Sequence, residues 1–308
     1  MVIPKRQRGI VTTAREMVET LRDEGIGAEL VGPDSLVPTH VSAIDRADEN
    51  CISFYIGPDT EQVKGLRNCV LLCKDGLEGV HESVSRIVVE DPRLAFAIIA
   101  QEFLPPLPEP GIHPTTIVDP KAEIHPTAII GPYCTVEKCV VGEGSVIHPR
   151  VMIYAKTNIG RRVEIESGAV IGATGLGRSV GPDGRHWLFP HFGETVLEDE
   201  TFVGANSVIT RGVLGNTVLK EGSRVNAGVV IAHNCVVGRH TAVSIGVTMS
   251  GSGVVGERCF IGSGASLKEG VRLGDDVVVG MGSVVTKGFE EDDVVIMGNP
   301  ARLYKKRS

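Results

Sequence analysis

Aromatic residues are scarce in this chain, 4% of 308 residues with a single Trp, so large rings cannot supply most of its core. No run approaches the ~18 apolar residues that cross a bilayer, and the opening Met1-Val2-Ile3-Pro4-Lys5-Arg6 lacks the apolar stretch of a secretory leader. A cytoplasmic protein without a membrane span is therefore expected. The 7 cysteines are an odd number with no C-x-x-C pair and no His at finger distance, which excludes a disulfide framework or a zinc ribbon. They read as reduced core thiols, and nothing points to a bound metal. Positive charge is also in deficit, 31 Lys and Arg against 38 Asp and Glu, and a net charge of −7 disfavours nucleic-acid backbones and anionic lipid.

What the chain has instead is Gly, 38 residues, and aliphatic residues on a fixed period. From Ile112 they recur every six positions through Val118, Ile124, Ile130 and Val136, slip by one to Val141, and continue from Ile147 to Ile171. After an interruption the register returns at Leu197, Val203 and Ile209, skips four residues, and runs from Leu219 to Val285. Gly often follows the aliphatic residue, and a small residue usually sits four positions after it. A period of six suits neither an amphipathic helix nor a hairpin, but fits a solenoid that turns one corner per hexad. Three hexads close a coil, and eight to nine coils at strand spacing make a rod on the order of 40 Å long. The expected fold is mainly β, a left-handed parallel β-helix over 112–288 preceded by a small α/β domain over 1–105.

That first domain lacks the period. Thr13-Ala14-Arg15-Glu16 is a capping box that opens a helix running toward Gly25, Ile52–Ile56, Val70–Leu72 and Ile87–Val89 read as strands, and Asp91-Pro92 starts a helix to about Leu104. The Pro-rich segment 106–111, with Pro105 before it, reads as a stiff linker, and 289–308 as a C-terminal tail.

His113, His125 and His148 share one Ile-His-Pro context and read as repeated surface filler. His233 breaks its hexad pattern, so it is either a satisfied surface residue or a general base. Eighteen residues per coil place Gly251 over it, either as an ordinary corner glycine or as an N–H donor beside a base. Gly172-Ala173-Thr174-Gly175-Leu176-Gly177 mimics part of a dinucleotide fingerprint but is followed by Gly181-Pro182-Asp183-Gly184, not a helix, so a Rossmann reading fails. It opens the interruption from about Ala173 to Thr195, which carries Trp187, Phe189, His191 and Phe192 and is expected to cover a substrate cleft. Gly298-Asn299-Pro300-Ala301-Arg302 and the basic stretch after it either end the solenoid or bind coenzyme phosphates.

Gly172–Gly177, Trp187 with Pro190, Gly204-Ala205-Asn206 leading to Arg211-Gly212, and Ile231-Ala232-His233-Asn234 with Val237-Gly238 together resemble the UDP-3-O-acylglucosamine N-acyltransferases of lipid A biosynthesis. The segment from Asp45 through Ile56, Asp91-Pro92 and the Pro linker resembles that family's small nucleotide-binding domain. The resemblance implies a homotrimer with active sites between neighbouring rods, no permanently bound cofactor, and an acyl-CoA or acyl carrier protein thioester as co-substrate. It implies His233 as general base, Gly251 N–H as oxyanion donor, and Asn226 in place of the family's carboxylate that orients the histidine. Asn234, Trp187, His191 and Phe54 would contact a nucleotide-linked amino sugar, with Gly57 and Thr60 where the family has Asn and a uracil-stacking Tyr. A second family histidine falls at about Gly270. The Gly298, Asn299, Pro300, Ala301, Arg302 ending is similar to coenzyme-A-dependent sugar N-acyltransferases and implies donor binding there. The expected activity is N-acyl transfer to a nucleotide-activated amino sugar; the alternatives are the lipid A enzyme itself and a non-catalytic solenoid scaffold.

Overall fold

The computed structural model describes residues 12–58, 60–104 and 107–307. Met1–Arg6 and Pro105-Pro106 of the linker lie outside the described residues. The chain divides into two compact units, with Leu107 ending the first and Pro108 beginning the second.

In the first unit, α1 (Ala14–Asp23) starts at Thr13, whose hydroxyl accepts the Glu16 N–H while the Glu16 carboxylate accepts the Thr13 N–H. This reciprocal cap satisfies two of the donors a helix start leaves open. The Thr13 N–H, and the Thr13 hydroxyl donating at 2.8 Å, hold the Glu16 carboxyl below its usual range. Five strands form one sheet in the order β1-β5-β4-β3-β2, namely Ala28–Val31, Ser85–Val89, Val70–Cys73, Cys51–Tyr55 and His40–Val41. Strands β2 to β5 are parallel and β1 is antiparallel to β5. After the short α2 (Glu61–Lys64), α3 (Pro92–Ile99) begins at Asp91, whose carboxylate accepts the Arg93 and Leu94 N–H groups. The sequence misses β1, β2 and α2, which are short or half-exposed and carry no clear period. Met17, Leu21, Ile52, Leu72, Ile87 and Ile99 make the core between α1, α3 and the sheet.

The second unit is a β-solenoid whose three faces are parallel sheets of 9, 8 and 11 strands, the last extended by the C-terminal hairpin. Ile147 pairs with Ile165, eighteen residues on, and Val225 with Val243 and Val243 with Ile261 at the same step. Hexad aliphatics therefore stack on one another inside, and Ile165, Val225 and Ile261 are fully buried. Each such side chain contributes about 1.5–3 kcal/mol of transfer free energy.

The small residue four places on also points inward, and many of these are hydroxyls. Ser145, Ser207 and Thr241 each donate to a carbonyl of the next coil, at 2.7–2.8 Å, and accept a backbone N–H from it, so these three are satisfied, whereas the Thr157, Thr201 and Ser223 hydroxyls at the same position meet no partner among the described residues. The glycines after the aliphatic residues answer to coil spacing: a Cβ on Gly238 would sit 2.1 Å from the Gly256 carbonyl oxygen. All seven cysteines are buried and free, and burial pushes the Cys69 and Cys139 thiols up to about 12.

Two departures from the step of eighteen position the site. Ile165 pairs with Val203, thirty-eight residues on, and the excess is ejected as a loop containing an antiparallel hairpin, Arg178–Val180 against His186–Leu188. Leu197 then pairs with Leu219, twenty-two residues on, and the extra four residues bulge at 211–216. At the far end, Val294–Met297 adds in parallel to Val278–Val279 and pairs antiparallel with Arg302–Lys306. The stretch expected to be a tail is thus an ordered hairpin that continues one face.

Candidate active site

His233 leaves the end of the Val230–Ile231 strand at a corner whose next residue, Asn234, takes the left-handed conformation at φ 60°. That corner geometry recurs along the solenoid at Asn206, Ser252, Gly264 and Gly270, and Asn tolerates it better than most residues. What differs at Asn234 is its side chain. Its Oδ1 accepts the Val213 N–H at 3.0 Å from the four-residue bulge, and its own N–H donates to Thr217 Oγ1 at 2.8 Å. A backbone N–H only donates, so the amide orientation is fixed with oxygen toward Val213. The same oxygen lies 3.2 Å from His233 Nδ1. Nδ1 is therefore the protonated nitrogen, and Nε2 carries the lone pair.

The half-buried His233 ring lies against Gly251 in the following coil. A Cβ on Gly251 would fall 2.4, 2.7 and 2.9 Å from ring atoms Cε1, Nε2 and Nδ1. Only glycine leaves room for the ring there. Gly251 is a buried residue whose N–H donates to no group among the described residues, whereas its neighbours Ser250 and Ser252 donate to Leu267 and His233 carbonyls. Geometry thus sets a lone-pair nitrogen against a glycine whose N–H is unused, and proton abstraction and oxyanion stabilisation draw on those two groups.

The ejected loop adds His191. Its ring meets His233 edge-on, centroids 5.6 Å apart and planes at 74°. It is only 8% exposed, its Nδ1 faces the Phe189 carbonyl oxygen at 3.0 Å, and its Nε2 has no hydrogen-bond partner. The loop is tied at this point to the bulge, since Phe192 N–H donates to the Val213 carbonyl and Lys156 Nζ to the Phe192 carbonyl. Gly175, at the loop's entry, lies against both imidazoles, with Thr210 Oγ1 next to it.

The remaining sequence candidates are placed elsewhere. Asn226 is exposed and its side-chain oxygen accepts the N–H of Ala227; the amide that meets the imidazole is Asn234. Trp187 stays at the hairpin, 61% exposed, with the Arg185 guanidinium 5.7 Å from its ring. Leu176, Leu188, Phe189 and Phe192 are exposed as well, so these side chains of the loop are not buried against the coils. In the α/β unit, Phe54 packs against Phe96, ring centroids 5.0 Å apart. Gly57 and Thr60 line a hollow of about 170 Å³ with Tyr55, Lys74 and Asp75 at the carboxyl ends of β3 and β4. Of the C-terminal candidates, Ala301 is buried and its N–H donates to Val284, Gly298 N–H donates to Ser283, and Arg302 is exposed at the start of the basic strand. His148 parts company with the other repeated histidines, its Nε2 lying 2.9 Å from Glu164 and 3.8 Å from Glu166.

Sequence reasoning missed the bulge residue Val213 as anchor of Asn234, and Gly175 as the floor beneath the two rings. The four-residue skip was the available signal for the first, and the Gly172–Gly177 stretch for the second, though nothing in that stretch says which glycine meets the rings.

Two family models match the hexads: "Hexapeptide repeat of succinyl-transferase" over 194–233 and 254–287, and "Bacterial transferase hexapeptide (six repeats)" over 138–173. The class is thus that of the hexapeptide-repeat acyltransferases. Among known proteins, the UDP-3-O-acylglucosamine N-acyltransferase of Xanthomonas oryzae is 36% identical over 232 residues, covering 68% of each chain. That of Polynucleobacter asymbioticus is 31% identical over 246 residues, again 68% of each chain. The solved UDP-N-acetylglucosamine O-acyltransferase of Moraxella catarrhalis superposes with a TM-score of 0.59 at 28% identity, covering 64% of this chain and 74% of that one. The chain belongs to the family of the UDP-3-O-acylglucosamine N-acyltransferases. No helix among the described residues is long and apolar enough to cross a membrane.

Proposed function

We propose that this protein transfers an acyl group from a thioester, acyl-CoA or acyl carrier protein, to the amine of a nucleotide-linked amino sugar, with His233 as general base. The observation that carries this reading is the fixed tautomer: Asn234 Oδ1, itself held by Val213 N–H, keeps the proton on Nδ1 and leaves Nε2 free beside Gly251. The amine nitrogen attacks the thioester carbonyl carbon, and His233 Nε2 takes one of its protons. The Gly251 N–H holds the resulting oxyanion. As the tetrahedral centre collapses the C–S bond breaks, and the imidazolium returns its proton to the leaving thiolate, so amide and thiol form without a covalent enzyme intermediate.

In the same reading the hollow at Gly57, Thr60 and Lys74 takes the nucleotide, since parallel strands present their carboxyl ends to ligands. The exposed Arg302 and Lys305, after Gly298, Asn299, Pro300 and Ala301, face the donor's phosphates. Neighbouring copies assemble as a homotrimer in the cytoplasm. A second reading, favoured by the names of the relatives, is that the acceptor is UDP-3-O-acylglucosamine itself.

Intact-mass detection of transfer from acetyl-CoA, 3-hydroxybutyryl-CoA and hydroxymyristoyl carrier protein to UDP-, dTDP- and GDP-linked amino sugars, with UDP-3-O-acylglucosamine in the panel, tests both. Product only from that precursor and the carrier protein selects the second reading. Product from a CoA donor on a deoxyamino sugar selects a surface-glycan role, and no product from any pair defeats the proposal.

A further inference from the structure

The reading above uses one imidazole, yet the structure brings two to the same point. His191 is more than nine-tenths buried, which for a polar ring calls for satisfied nitrogens. One is satisfied: Nδ1 lies 3.0 Å from the Phe189 carbonyl oxygen. A carbonyl only accepts, so the proton of the neutral ring sits on Nδ1 and Nε2 offers a lone pair. That lone pair meets no donor among the described residues. A Cβ on Gly175 would lie 3.3 Å from His191 Nε2 and 3.5 Å from His233 Cδ2, the carbon bonded to the catalytic nitrogen. Two acceptor nitrogens therefore border one small space that glycine leaves open.

What fits between two acceptors is a group with two polar hydrogens. The reacting carbonyl and sulfur of a thioester have none. A hydroxyl nucleophile has one, which the base takes, and its remaining lone pair would then face the lone pair of His191. A neutral primary amine has two: one for His233 Nε2 and a second for His191 Nε2. Resting on the assignment of His233 as base, we infer that His191 is a specificity-determining residue that accepts the second N–H of the attacking amine and so selects nitrogen over oxygen acceptors.

The test compares the full-length wild type with His191→Phe and His191→Gln on two acceptors differing at one atom, UDP-3-O-acylglucosamine and UDP-3-O-acylglucose. A hydrogen bond to a reacting group predicts that His191→Phe loses about 10- to 100-fold in kcat/KM on the amine and nothing on the hydroxyl. His191→Gln, which can present an amide oxygen, should recover part of the amine rate. Equal loss on both acceptors, or no loss on the amine, overturns the inference while leaving His233 as base intact. If the wild type uses neither acceptor, the proposed function fails for that substrate, and ring-15N NMR of the labelled full chain decides the inference alone. A His191 whose neutral form carries its proton on Nε2, or a bare Nε2 that does not shift on adding D-glucosamine, contradicts it; a bare Nε2 that shifts with D-glucosamine and not with D-glucose supports it.

Discussion

The histidines of the early, regular coils and those beside the interruption are set up in opposite ways. His113 and His125 each accept, at Nδ1, the backbone N–H of the residue two places on, 3.3 Å away, and lie 2.8–2.9 Å from its hydroxyl. A backbone N–H cannot accept, so these rings carry their neutral-form proton on Nε2 and serve as corner caps. His233 and His191 carry it on Nδ1, donating to an amide oxygen and a carbonyl, and turn a bare Nε2 toward shared space. Regularity thus consumes the acceptor nitrogen of a histidine, and interruption frees it.

The sharpest way to break this contrast is to remove one histidine of each kind. His233→Ala should lower acyl transfer by about 10²- to 10⁴-fold, the range for loss of a general base, while His125→Ala leaves it unchanged. Initial rates by intact-mass assay measure both, and equal behaviour of the two variants would erase the distinction.

Gly251→Ala comes next. Here the regular stacking of coils and the special residue collide, because the new Cβ would overlap three ring atoms of His233. Displacing the ring by about an ångström while crowding the oxyanion donor should cost about 10²-fold in kcat. The backbone at Gly251 is not in the left-handed region, so the melting temperature should barely move. Full activity in this variant would show that the ring and the N–H do not act together.

How much of this could be read beforehand follows the same line. Stacking depends on local period, so Ile147, Ile165 and Val243 announced their coils, and the eighteen-residue step put Gly251 on His233 without any structure. Hydrogen bonds from the insertions depend on where irregular backbone returns, and no period encodes that. Asn226 stands where the resembling family has its orienting carboxylate and so was expected to be the orienting amide, whereas the bulge at 211–216 delivers Val213 to Asn234. Trp187, the sole tryptophan, stays at the hairpin, whereas His191, four residues on and singled out beside it, is the ring that meets His233.

A smaller effect separates stability from chemistry. Ile165→Val removes one methylene from a fully buried hexad position that adjoins the interruption but lies on a different face of the solenoid from the strand leading to His233. Such a change costs about 0.5–1.5 kcal/mol, read as a lower denaturant midpoint, with kcat/KM unchanged at temperatures well below melting. A fall in activity at full folding would mean that the coil's packing, and not only the insertions, sets the ring positions.

The smallest expected effect tests how the interruption is clamped. Arg161, before the loop, donates its N–H and Nε to the Asp199 carboxylate after it, at 2.7 and 2.8 Å. Partial burial pushes the Asp199 carboxyl up, but the Arg161 N–H and guanidinium, with Arg162 nearby, outweigh it and hold the group below its ordinary range. A carboxylate depressed in the folded state adds stability above its unfolded pKa of about 4, and loses it as pH falls through the folded value. The pair is solvated on the Arg161 side, so its share is small. Asp199→Asn should accordingly lower stability slightly at pH 7 and flatten its decline between about pH 5 and pH 3. Parallel pH profiles for the two proteins would show that the hydrogen bond to the Arg161 N–H, which an amide oxygen can still accept, and not the charge, closes the coil across the ejected loop.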